Sequence, residues 1–262
     1  MKTLKVLLCA MLLVWGVSGT AIGSPVYLTG VSAGAGWWDV EQAVGSSWCW
    51  AASASNMLAH SSWEGPAPGL DSNTEMFAYF QNHWTNVNGS PYYALEWWFE
   101  GTNGSAGWSG WSQVTTAGGE FYDGYFLSNN GYGSTTNMAW TWIQEDVDNN
   151  RAFSMLLGDS GGGIHWLTGW GYDTAGMQVF VTDSYDQINQ ASWYSLTLSG
   201  GKYYLPGYNN WYIIAMDSLA YNSGNVQPTG GTGPGEVPEP TSMLLLGTGL
   251  SGLYLKRRAR KK

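Results

Sequence analysis

Disulfide bonding is the first thing this chain lacks. It has two cysteines, Cys9 and Cys49, and Cys9 falls inside the apolar run Val6–Val17 near the N-terminus. If that run leaves with a leader, the mature chain keeps a single thiol. A lone thiol in an exported protein asks for a reason other than crosslinking. Positive charge is almost as scarce. Of ten Lys and Arg, only Arg151 and Lys202 lie between residues 24 and 236, against eighteen Asp and Glu, a formal charge of −16. Such a surface repels phosphate backbones, which excludes nucleic acid as a partner. Long apolar runs are missing too. The stretch Thr241–Leu255 would make a helix of about 22 Å, short for a hydrocarbon core of about 30 Å.

What is present at the two ends reads as targeting. Lys2 and Lys5 precede the run Val6–Val17, and Ala21-Ile22-Gly23 supplies small residues for cleavage, so residues 1–23 read as a secretory signal peptide. At the other end Val237-Pro238-Glu239-Pro240 precedes the apolar stretch, and Lys256-Arg257-Arg258-Ala259-Arg260-Lys261-Lys262 follows it. The basic cluster would stay cytoplasmic and leave the rest of the chain outside. This order resembles the PEP-CTERM sorting signal over residues 237–262. The resemblance implies a Gram-negative bacterium, an exosortase-type membrane enzyme as partner, and transient membrane association through the C-terminal helix before the tail is removed. The exported chain would then be extracellular or held at the cell surface.

Between these ends, residues 24–221 make one domain, long enough to bury a sizeable core. Asn222 onward is rich in Gly, Pro and Thr, and residues 222–236 read as a flexible linker. The first half of the domain carries helical patterns at Trp48–Ala59, Asn73–Trp84, Tyr92–Phe99 and Thr136–Val147, the first with Ser46 or Ser47 as its cap. The second half changes period. Ala152–Leu157, His165–Gly171, Gln178–Thr182, Trp193–Leu198 and Trp211–Met216 are short, aromatic and β-branched, with turn residues between them. Helices followed by strands predict an α+β domain with an antiparallel sheet.

Cys49 falls in the first turn of the first predicted helix, in Ser46-Ser47-Trp48-Cys49-Trp50-Ala51-Ala52-Ser53. Free backbone N–H groups and the positive end of the helix dipole stabilise a thiolate there. Such a nucleophile needs a base. Of the three histidines, His60 would lie about 16 Å along the same helix, out of reach, and His83 ends another helix beside Trp84 as a packing or surface residue. His165 opens a strand after the Gly161–Gly163 loop. A hairpin turn near Asp173–Gly176 would return the chain so that Asp183 comes close to His165 as acceptor for its ring N–H.

These segments resemble papain-like cysteine peptidases, and more closely the IdeS/Mac family of secreted immunoglobulin-cleaving endopeptidases. Gly36-Trp37-Trp38-Asp39-Val40 matches that family's Gly-Trp-Tyr-Asp-Ile. Cys49 to Leu58 is similar to its nucleophile helix, with Ser55 for Gly, and His165–Gly171 and Val181–Ser184 are similar to its His and Asp strands. The resemblance implies a papain-like fold, with the nucleophile helix packed on the C-terminal sheet. It also implies Cys49 as nucleophile, His165 as general base and acid, Asp183 as the orienting group, and a protein or peptide substrate. Gln42 falls where such enzymes place an oxyanion-hole donor. No metal or organic cofactor is implied. Two features depart from the family: Tyr185 stands where it has a second aspartate, and the middle of this chain is Trp/Gly-rich where the family is lysine-rich. Immunoglobulin specificity therefore does not carry over.

Other patterns point elsewhere. Gly158-Asp159-Ser160-Gly161-Gly162 spells a serine-peptidase nucleophile motif, and Gly30-Val31-Ser32-Ala33-Gly34 a nucleophile elbow, each without the flanking strands it requires. Asp146-Val147-Asp148-Asn149-Asn150 lacks the Gly and Glu of a calcium loop and reads as a helix end with solvated acids. Sixteen tryptophans after residue 23 allow an alternative, a non-catalytic surface module that stacks on carbohydrate. A thioester acyltransferase on the same fold is a further one.

Overall fold

The computed structural model describes residues 23–224 except 67–68, 102–112, 117 and 131–135, together with 226 and 228. The leader, the sorting tail and most of the linker lie outside the described residues.

Among the described residues four α-helices and nine strands form the domain in the expected order, helices mainly first. The helices are α1 (Cys49–His60), α2 (Asn73–His83), α3 (Pro91–Glu100) and α4 (Ala139–Asp148). The strands are β1 (Val26–Tyr27), β2 (Leu127–Asn130), β3 (Arg151–Gly158), β4 (Ile164–Asp173), β5 (Gln178–Thr182), β6 (Ala191–Ser195), β7 (Thr197–Ser199), β8 (Lys202–Leu205) and β9 (Trp211–Ala220). All pairings are antiparallel, in the order β6-β5-β4-β3-β9-β8-β7. β1 sits beside β4, and β2 beside β9.

Local chemistry sets the helix starts. Ser72 and Glu75 form a capping box on α2, and Ser90 caps α3 with Pro91 at its first position. α1 behaves differently. Every residue from Trp50 to His60 is buried, as expected of a helix surrounded by protein. It packs against α2 and α3 on one hand and β3 and β4 on the other. Its polar groups tie it to the sheet. Ser53 Oγ and Thr168 Oγ1 are 2.9 Å apart, and Asn56 Nδ2 donates to the same threonine at 3.3 Å. Asn56 Oδ1 in turn accepts from Val40 N and from Asn73 Nδ2.

Several expectations are corrected. The predicted strand Trp193–Leu198 is two strands, β6 and β7, at opposite ends of the strand order and separated by Leu196 alone. Leu196 is buried and its N–H donates to Met177 O. One residue can join the two ends only if the sheet curls until its edges nearly meet. The helix expected from Thr136 begins as a 3-10 turn at Thr136–Met138. β9 runs four residues beyond Met216, and β1, β2 and β8 were not foreseen. Asp146 is 2% exposed rather than solvated, and pairs with Arg151 at 3.8 Å. Asn222, placed at the start of the linker, is docked: its N–H donates to Ser61 O at the end of α1.

Candidate active site

The contact between Ser53 and Thr168 fixes the site. Cys49 lies one helical turn before Ser53, about 6 Å, and His165 three strand residues before Thr168, about 10 Å. Both therefore emerge at one end of the domain. At the other end, the His60 ring meets Trp170 at 5.3 Å, buried and away from Cys49. His83 packs on Tyr79 with centroids 3.9 Å apart, and its Nδ1 bonds to Tyr79 O.

The β4–β5 hairpin then supplies the carboxylate. Thr168 pairs with Thr182, so Asp183 comes just past the end of β5, on the His165 side of that pair. His165 Nε2 and Asp183 Oδ1 are 2.6 Å apart, both residues buried. With Nε2 committed to Asp183, Nδ1 is the nitrogen left for sulfur, and Cys49 lines the same cleft as the ring. Burial opposes charge on the imidazole. The Asp183 carboxylate and the Cys49 sulfur outweigh it and raise His165 from 6.5 to about 9. Burial also works against the Asp183 charge, yet bonds from His165, Tyr208 and the Tyr185 backbone hold its carboxyl below the usual range.

The end of α1 differs from the expectation. Trp48 is its N-cap and no side chain caps the helix. Ser46 Oγ instead donates to Gln42 Oε1 at 3.1 Å, and Ser47 N–H donates to Asn86 Oδ1. The first-turn N–H groups beside Cys49 thus keep no side-chain acceptor. Gln42 is 2% exposed. Its Oε1 also accepts from Trp48 N–H at 2.9 Å, which settles the orientation of the amide. Nε2, without a protein partner among the described residues, is left for the cleft. The backbone of Gln42 is tied to the loop after Asp183, donating to Ser184 O and accepting from Gln187 Nε2, both at 2.8 Å.

Two tyrosines complete the surroundings, and sequence reasoning gave neither this place. Tyr208, in the β8–β9 turn, donates to Asp183 Oδ2 at 2.7 Å, and its ring lies parallel to that of His165. Tyr185 N–H donates to Asp183 Oδ1 at 2.9 Å, and its hydroxyl accepts from Gly45 N–H. Asp186 groups with Asp39 and Glu41, whose carboxylate oxygens lie with its own within 4.8 Å of one another. Burial, with Glu41 and Asp186 nearby, pushes Asp39 up to about 8. Cys49, His165 and Gln42 line one cleft of about 400 Å³ together with Tyr185, Tyr208 and Trp211.

The decoy motifs have other uses. Ser160 is exposed in the β3–β4 turn, where Asp159 Oδ1 accepts from Gly161 and Gly163 N–H. Asp148, in the acidic stretch at the end of α4, accepts from Tyr172 OH.

A helical part carrying a cysteine at one helix start, packed on an antiparallel sheet that carries the histidine and aspartate, is the layout of the papain-like class. Comparison with known families gives the more particular assignment. The chain belongs to the Peptidase_C39 like family, matched over residues 37–225, and residues 236–261 match the PEP-CTERM protein-sorting motif. No curated protein matches the chain. The domain is thus peptidase-like, and the sorting motif implies export, cell-surface targeting and recognition by an exosortase-type enzyme. Among the described residues no helix is long and apolar enough to cross a membrane.

Proposed function

We propose that the protein is an exported cysteine endopeptidase that hydrolyses peptide bonds through a thioester. The observation that carries this reading is the 2.6 Å His165–Asp183 contact in the cleft that holds Cys49. The Cys49 thiolate attacks the scissile carbonyl, and the oxyanion accepts hydrogen bonds from the Cys49 backbone N–H and Gln42 Nε2. His165 gives its proton to the leaving amine. It then takes one from water as the thioester is hydrolysed, releasing the acid and the free thiol. Asp183 orients the ring throughout. Residues 1–23 act as leader, 24–221 as the peptidase domain, 222–236 as linker and 237–262 as sorting signal. The three matching segments favour the IdeS/Mac branch of papain-like enzymes.

Half of the sixteen tryptophans after residue 23 offer no face for the carbohydrate-stacking alternative. Trp48, Trp50, Trp63, Trp84, Trp97, Trp98, Trp166 and Trp170 are all core residues. The test is incubation of wild-type and Cys49→Ala protein with a peptide library, read by mass spectrometry. Cleavage confined to the wild type is expected, with free-acid products. Products joined to a second amine instead would make it an acyltransferase, and a thiol inert to iodoacetamide with no turnover would end the reading.

A further inference from the structure

Apart from the Cys49–His165 pair itself, the described walls of the cleft are neutral, in an acidic domain. Although residues 24–236 carry a formal −16, no Asp, Glu, Lys or Arg among the described residues lines the cleft. Part of its wall is apolar, with Ile164 42% exposed, Tyr185 43% exposed and Trp211 beside them; Ser46, Ser47 and Asn88 supply neutral polar groups. Carboxylates begin just outside. Asp186 directly follows Tyr185. Near Trp211, a Cβ built on Gly163 would lie 3.1 Å from both Asp159 Oδ2 and the Trp211 ring, so Asp159 borders that wall.

A charged side chain entering the cleft would lose hydration and, away from the reacting Cys49–His165 pair, meet no counter-charge on its walls. Cationic residues outside it would be drawn toward the acidic surround, an attraction that works over roughly 10 Å and fades with salt. We propose that the cleft takes an extended peptide with apolar, uncharged residues at the scissile bond, carried in a segment with cationic flanks. This rests on the peptidase reading above and names its substrate class.

The full-length protein is assayed at low salt with three fluorogenic peptide series: apolar centre with Lys/Arg flanks, the same centre with Asp/Glu flanks, and a charged centre with neutral flanks. The first series is expected to lead in kcat/KM by about tenfold or more, and its lead over the acidic flanks to shrink in 0.5 M salt, a concentration on the order of that which cuts the Debye length to a few ångströms. In the double variant Asp159→Asn, Asp186→Asn the ratio of cationic- to acidic-flanked cleavage is expected to fall. Equal rates for all series, a preference for the charged centre, or an unchanged ratio in the double variant would overturn the proposal while leaving a working peptidase. No cleavage of any series together with an unreactive Cys49 would instead overturn the peptidase reading on which it rests.

Discussion

Asp183 and Asp217 are both buried carboxylates at the sheet, yet they are held in opposite ways. Asp217, on β9, is wholly buried and accepts from Asn129 Nδ2, Ser90 Oγ and Tyr92 N–H. Even so, burial pushes it up to about 7. Asp183 also accepts three hydrogen bonds, but one comes from an imidazole, and its carboxyl is held low. Neutral donors offset only part of the desolvation of a carboxylate, whereas a cation beside it reverses the outcome. Composition explains why the first kind prevails here. With only Arg151 and Lys202 in the domain, buried acids mostly lack cations. Burial accordingly raises Glu96 and, despite Arg151 at 3.8 Å, Asp146 to about 7. Among the described residues, the one buried acid with an imidazolium partner lies at the cleft.

The sharpest way to break this comparison is to disable each side. Cys49→Ala should abolish peptide cleavage, a loss of about 10⁴-fold or more, with thermal unfolding unchanged; residual turnover near wild type would remove the thiol from the chemistry. Asp183→Asn should lower kcat by roughly 10²–10⁴-fold, whereas Asp217→Asn should leave cleavage near wild type. If the two variants lose activity alike, the contrast between the carboxylates has no functional meaning. Gln42→Ala should cost about 10²–10³-fold in kcat while iodoacetamide still alkylates Cys49. A matching loss of alkylation would show that Gln42 acts through the fold and not on the oxyanion.

The pH dependence of stability has one sign in two windows. A carboxyl raised in the folded state keeps its proton where the unfolded chain has lost it, so its burial weakens the fold as pH rises from about 4 toward 7. Melting temperature should therefore fall from pH 5 to pH 8, and Asp217→Asn should narrow that fall; a flat melting profile in the wild type would count against protonated buried acids. His165 extends the same trend to higher pH. Its raised value means a contribution fully present below 6.5 and lost as pH rises through about 9. Cleavage should follow with an alkaline limb near that pH, which an activity profile would show. The smallest effect belongs to Ser72→Ala, which should cost α2 about 1 kcal/mol in denaturant unfolding and leave kcat alone.

Much of the site was legible because it is local. Cys49 opens a helix of buried small residues, and His165 and Asp183 sit on the two arms of one hairpin, so period and turn residues were enough to bring that pair together. Tyr208 gave no such signal. It reaches Asp183 only because the sheet curls and returns the β8–β9 turn to the cleft, a consequence of strand order between distant segments. The helix cap was misread for a related reason. Ser46 has the right chemistry and spacing, but Gln42, anchored by the loop after Asp183, takes its hydroxyl.

By itself, then, the order of residues determined the single cysteine of residues 24–236, the acidic charge, the helix and strand periods, and the hairpin that joins histidine to aspartate. Only tertiary structure decided which way the Gln42 amide points, which tyrosine holds the second carboxylate oxygen, and which acids lose water. Those properties depend on what surrounds a group in space, and burial and partners are set by packing between segments far apart in the chain.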